Sequence, residues 1–171
     1  WHIALALTCQ SLMVTAVLTH VMPYFSSIGI ARSISSLVAL AIPLISICGR
    51  LSFGWLGDRV DKKQLMAGAF LMMSFSLLCF GYASARSMWL LVPSTILLGI
   101  SYGGNSTIRA AIVREYFGRH RFGTILGCIS GMMMLGTIIG PTLAGWVFDE
   151  WGSYQGIWLV FAGLAVAASV I

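Results

Sequence analysis

The sequence is short of charge. Of its 171 residues only 9% are charged, and just five are acidic. A soluble domain of this size needs a polar surface, and this chain cannot supply one. Its residues are 58% hydrophobic and its mean hydropathy is +0.93, so the solvent of most of the chain is lipid. Asp58, Asp61, Glu115, Asp149 and Glu150 all sit in or beside the polar breaks between apolar runs. No paired carboxylates, no nucleophile–base arrangement and no histidine at ligand spacing is visible, so no enzymatic, metal or cofactor site is expected. Cys9, Cys48, Cys79 and Cys128 lie in apolar runs without a CxxC pair and read as free thiols packed as small hydrophobes. The chain opens on Trp1 rather than Met, so a fragment or processed chain is expected. No basic lead-in to a short apolar run is seen, so no signal peptide is expected.

What is present is a series of long apolar runs. A bilayer-spanning helix needs ~20 mainly apolar residues. Six stretches qualify, at about 2–24, 35–56, 64–84, 88–112, 123–147 and 156–171. They make one all-α transmembrane domain over 1–171. The connections are short, which predicts antiparallel neighbours in sequence order. The net charge of +5 would suggest nucleic acid in a soluble protein, but here the cations cluster in short loops and set orientation. Arg59, Lys62 and Lys63 follow the second stretch. Arg109, Arg114, Arg119 and Arg121 lie around the connection after the fourth. Only Arg32 and Arg86 fall on the other side. Seven against two places the first group, and both chain ends, in the cytoplasm.

The densest charge cluster is GRLSFGWLGDRVDKK, residues 49–63. It reads as a tight loop at a membrane surface, except that Arg50 lies eight residues before Asp58, ~12 Å inward. An arginine there either snorkels to the surface or points into a central path and holds an anion. In the first stretch Thr8, Ser11, Thr15 and Thr19 share one face. That face lines a watery cavity or bonds to backbone and neighbouring helices. Tyr102 and Asn105 in the fourth stretch reach a depth similar to Arg50, counted at 1.5 Å per residue. They suit a carboxylate ligand, or bond to a facing helix. Arg109, nearer the loop, is expected to snorkel, and His20 to be an interfacial residue or a proton carrier. Pro23 ends or bends the first helix. The third stretch, rich in Met, Leu and Phe, reads as lipid-facing or scaffold, with Met66, Met72 and Met73 as packing. Gly123, Gly127, Gly131, Gly136 and Gly140 form a strip that permits close, and sliding, helix contact, or plain static packing.

Two sets of residues carry a family resemblance. Gly54, Asp58, Arg59, Lys62 and Lys63 resemble the cytoplasmic signature loop of the major facilitator superfamily, at its usual place after the second helix of a six-helix half. Asp61 departs from that pattern, where the family usually has glycine. YFGRHRFGTILG (116–127), GPTLAGWVFDEWGSYQGIW (140–158) and HVMPYFSSIGIARS (20–33) look like the monocarboxylate-transporter and oxalate/formate-antiporter group. The resemblance covers nearly the whole chain. It implies the carboxy-terminal half of a twelve-helix carrier, built as two inverted three-helix repeats.

The resemblance implies secondary active transport of a small organic anion, monocarboxylate-like, by alternating access, as symport or antiport. By position Arg50 matches that group's substrate-binding arginine, with Tyr102, Asn105 and Ser11 as further substrate contacts. Gly54, Asp58, Arg59, Lys62 and Lys63 become the gating loop. The oxalate branch adds a lysine to the fifth helix of this half, and none lies between Phe122 and Asp149, which favours a monocarboxylate. The implied partners are the lipid bilayer, an amino-terminal six-helix half, the solute and a coupling proton. The implied place is the plasma (cell inner) membrane. A carrier of another solute (drug or sugar-like), or a non-transporting sensor or assembly subunit, is the alternative.

Overall fold

The computed structural model describes residues 2–83, 87–118 and 121–170. Ser84, Arg86, Arg119 and Ile171, which enter the span limits and the charge count above, lie outside the described residues. The described elements are helical: α1 (His2–Ser27), α2 (Arg32–Gly57), α3 (Lys62–Gly81), a 3-10 turn (Met88–Leu90), α4 (Leu91–Phe117), α5 (Phe122–Trp151) and α6 (Gln155–Val170). Helices α1, α2, α3 and α5 are long and apolar enough to cross a membrane, and α6 is a shorter apolar helix. Helix α4 is as long, but its middle is polar and glycine-rich.

Helix ends follow local chemistry. Asp61 caps α3, its carboxylate accepting from the Lys63 backbone N–H at 2.8 Å. That is the physical return on the residue that departs from the signature pattern. Helix α4 runs to Phe117, beyond the expected 112, and stops where Gly118 takes φ 66; α5 stops where Gly152 takes φ 64. Pro23 does not end α1, which continues to Ser27, and Pro43 and Pro141 also lie inside helices. In lipid a proline's freed carbonyl is tolerated where neighbouring groups re-satisfy it.

The tightest packing is not between consecutive helices throughout, as short loops suggested. Besides α3 against α4 and α6, the closest pairs are α2 with α4 and α1 with α5. Both pairs are parallel, and glycine sets both. On α4, a Cβ at Gly103 would overlap the Ser46 backbone, and one at Gly99 would come within 2.8 Å of Ile45 Cβ. Gly49 presses in the same way on the backbone of Ile100. On α5, Gly136 and Gly140 leave no room for a Cβ against Thr8, Ser11 and Leu12 of α1. Exchanging α1–α3 with α4–α6 turns the α1·α5 pair into the α4·α2 pair. Three helices per unit is an odd number, so the two repeats run in opposite senses: an inverted repeat.

The glycine strip of α5 divides in two. Gly136 and Gly140 are buried on α1, whereas a Cβ at Gly123, Gly127 or Gly131 would meet nothing within 4 Å. The five-residue step from Gly131 to Gly136 rotates the face by roughly 140° at 3.6 residues per turn. Helix α3 is scaffold rather than lipid-facing, with Phe70, Met73 and Leu77 fully buried. Leu37, Leu40, Leu44, Ile47, Leu51 and Trp55 form an exposed row on α2.

Candidate functional site

Between α1, α4 and α5 lies a cavity of about 230 Å³. Gln10, Ser11 and Thr15 of α1, Tyr102, Asn105, Ser106 and Arg109 of α4, and Met133 and Thr137 of α5 give it its polar wall. On α4 the spacing 102–105–109 keeps these side chains on one helix face. A separate face, roughly a third of a turn round, carries Gly99, Gly103 and Gly104 and is pressed on α2. The glycines thus fix the rotation of α4 and aim its polar groups toward α1 and α5.

Asn105 is 1% exposed, and neither its amide nitrogen nor its oxygen has a partner. Each such group costs about 1–3 kcal/mol when left unmet in a protein interior. Arg109 is half-buried. Its Nη1 donates to the thioether sulfur of Met133 at 2.9 Å, and its Nε is buried without a partner. The expectation that Arg109 snorkels to the surface is therefore corrected: the contact with Met133 of α5 holds its guanidinium in the cavity wall.

Of the four residues expected to touch substrate, Ser11, Tyr102 and Asn105 line this cavity and Arg50 does not. Ser11 has its single proton committed to α5, donating to the Met133 carbonyl at 2.6 Å. Thr8 and Thr15 donate within α1, to Ala4 at 2.7 Å and to Ser11 at 2.6 Å. The polar stripe of α1 therefore does both things considered for it: it lines the cavity and bonds to backbone. Arg50 is exposed on α2, at the level where its carbonyl meets the Thr107 hydroxyl at 3.5 Å. Ser36, Pro43 and Arg50 recur every seven residues, so they form a strip rotated roughly 60–100° from the leucine row. Arg109 is the residue that sequence reasoning misplaced. The three- and four-residue spacing from Tyr102 was the available signal.

At the other end of α2, Lys62 Nζ pairs with Glu115 Oε2 at 2.8 Å, tying the signature loop to the end of α4. Lys63 Nζ lies 5.2 Å from the Tyr116 ring centre, and the Arg59 guanidinium 3.8 Å from that of Trp55. Asp58 forms the exposed C-cap of α2 and enters no ion pair among the described residues. Gly54 faces Thr107 with room for a methyl group.

On the opposite surface His20 joins three elements. Its Nε2–H donates to the Pro141 carbonyl at 2.9 Å, and that fixes Nδ1 as acceptor of the Tyr154 hydroxyl at 3.1 Å. Burial, with a smaller contribution from the Asp149 charge, pushes the Tyr154 phenol up, so it stays a donor. His20 is thus held by protein on both ring nitrogens.

Known proteins agree with this architecture. The family model of the Major Facilitator Superfamily matches residues 3–171. Monocarboxylate transporter 12 of Rattus norvegicus is 25% identical over 154 residues, 89% of this chain and 32% of the relative's length. A Multidrug resistance protein B homolog of Mycobacterium tuberculosis is 30% identical over 69% of this chain and 21% of its own length. Inorganic phosphate transporter 1-1 of Arabidopsis thaliana is 30% identical over 63% of this chain and 22% of its own. The chain spans about a third or less of the curated relatives it matches. Six helices in an inverted repeat, the signature loop at its expected position and a family match along almost the whole length lead to one assignment: this chain belongs to the major facilitator superfamily.

Proposed function

We propose that the chain forms one wall of the substrate path of a secondary carrier for a small organic anion, monocarboxylate-like, working by alternating access. The observation that carries the reading is the cavity between α1, α4 and α5, where Asn105 keeps a donor and an acceptor unmet beside Tyr102 and a guanidinium. A carboxylate accepts from the Asn105 amide N–H, the Tyr102 hydroxyl and the guanidinium, with charge-assisted hydrogen bonds. Arg50, exposed on α2 outside the cavity, adds positive charge at a similar depth.

A complementary six-helix unit closes the path from the other side. Both ends of this unit lie in the cytoplasm and the carrier sits in the plasma membrane. A membrane potential negative inside opposes anion entry, so uptake is coupled to a proton or to a counter-anion. The contact of Lys62 with Glu115 holds the cytoplasmic ends of α3 and α4 together in one state and parts in the other.

The test is uptake by proteoliposomes containing the full-length protein. Labelled acetate should enter saturably and be competed by other short carboxylates. Uptake of inorganic phosphate or of a cationic dye, with acetate neither carried nor competing, overturns the carboxylate reading.

A further inference from the structure

We infer that Arg109 is the anchoring cation of the cavity between α1, α4 and α5, and that its contact with Met133 yields to an oxygen of the bound anion. The inference rests on the anion reading above and deepens it by assigning the charge that reading leaves divided between Arg50 and the cavity wall.

A guanidinium has five N–H donors and prefers a planar pair of oxygens. Arg109 has Nη1 on a thioether, a weak acceptor, and its Nε is buried with no acceptor. None of the described residues lining the cavity is acidic, so the cavity offers this charge no internal counter-ion. One turn back along α4, Asn105 is 1% exposed with both amide atoms unmet. Gln10, 4% exposed, lines the same cavity from α1. A small anion held side-on through Nε and one Nη of Arg109 brings a strong acceptor to the arginine, and the free lone pairs of the same oxygens accept from the Asn105 amide N–H. Arg50 offers no such set, since it is exposed and does not line the cavity.

Met133 gives the exchange a consequence. Its backbone carbonyl accepts from Ser11 of α1 while its sulfur accepts from Arg109 of α4. An anion that takes Arg109 off the sulfur loosens α4 from α5 and leaves α1 tied to α5. Occupancy then acts on one helix contact and not the other, which is a differential interaction of the kind that shifts a two-state equilibrium.

The test measures thermal stabilisation of the purified full-length protein by acetate and by inorganic phosphate, in wild type and in Arg109→Gln, Arg109→Lys, Met133→Leu and Arg50→Gln. Acetate should stabilise the wild type. Arg109→Gln should weaken apparent affinity about 10- to 100-fold, the scale of a lost charged hydrogen bond. Arg109→Lys, which keeps the charge and loses the fork, should fall between, and Arg50→Gln should weaken affinity less than Arg109→Gln does. Met133→Leu should tighten affinity by about two- to fivefold, since a competing weak acceptor is gone. It decides the matter if Arg109→Gln does not fold, where unchanged or weaker affinity overturns the inference. Wild-type stabilisation that survives Arg109→Gln overturns this inference alone. Stabilisation by phosphate only, lost in Arg109→Gln, supports the anchor and retires the carboxylate. No response of the wild type to either anion overturns both.

Discussion

Replacing Gly103 by alanine should separate α2 from α4. A Cβ at this position would overlap the carbonyl oxygen, carbonyl carbon and Cα of Ser46. These are backbone atoms and cannot rotate aside, so the helices must move apart along a contact that runs from Ile42 to Phe53. Overpacking costs about 1–3 kcal/mol, and backbone overlap belongs at the upper end. Alanine returns at most about 1 kcal/mol of helix propensity. The net expectation is a loss of about 2 kcal/mol. Gly163→Ala, at an exposed position of α6, is the control, because a Cβ there meets nothing within 4 Å and only the propensity gain of about 1 kcal/mol remains. Titrating each full-length variant from mild detergent into SDS, followed by tryptophan fluorescence, gives the two unfolding free energies. A difference of about 3 kcal/mol in favour of Gly163→Ala is expected. Equal stabilities would refute glycine-set packing of α2 on α4, and with it the rotation of α4 that aims Tyr102, Asn105 and Arg109 into one cavity.

Removing the α3 cap by Asp61→Ala should cost about 1 kcal/mol in the same titration, whereas Asp61→Gly should cost only a few tenths. An unchanged stability in Asp61→Ala would show that the carboxylate bond to the Lys63 N–H is not what holds that turn. A double-mutant cycle of Lys62→Gln and Glu115→Gln should show little coupling in stability, since both partners are solvent-exposed and screened. Its effect on turnover in proteoliposomes should be the larger one if the pair acts as a gate. His20→Phe removes two hydrogen bonds between α1, α5 and the turn before α6, and should lower stability by about 1–3 kcal/mol. An unchanged unfolding profile would show that those bonds contribute nothing.

The helices themselves were legible because spans in lipid are written as apolar length, and the loop cations as charge. The signature loop was legible as a pattern. The sequence could not show that Asp61 caps α3, because that needs the backbone path after Asp58. Depth was readable too: counting residues brought Arg50 near the polar level of α4. Angle was not. Which arginine faces the cavity depends on the rotation of α4, and that is set by Gly99, Gly103 and Gly104 meeting a non-consecutive helix. The same applies to α5, where even spacing suggested one long strip. The five-residue step after Gly131 is in the sequence, but its meaning appears only once α1 is known to cover Gly136 and Gly140.

The most direct measurement is a density map of the full-length protein with a bound short carboxylate. The account predicts the carboxylate between Asn105 and Arg109, with the guanidinium turned from Met133 onto its oxygens. A carboxylate seated elsewhere, with Arg109 still on the Met133 sulfur and Asn105 still unmet, would contradict it.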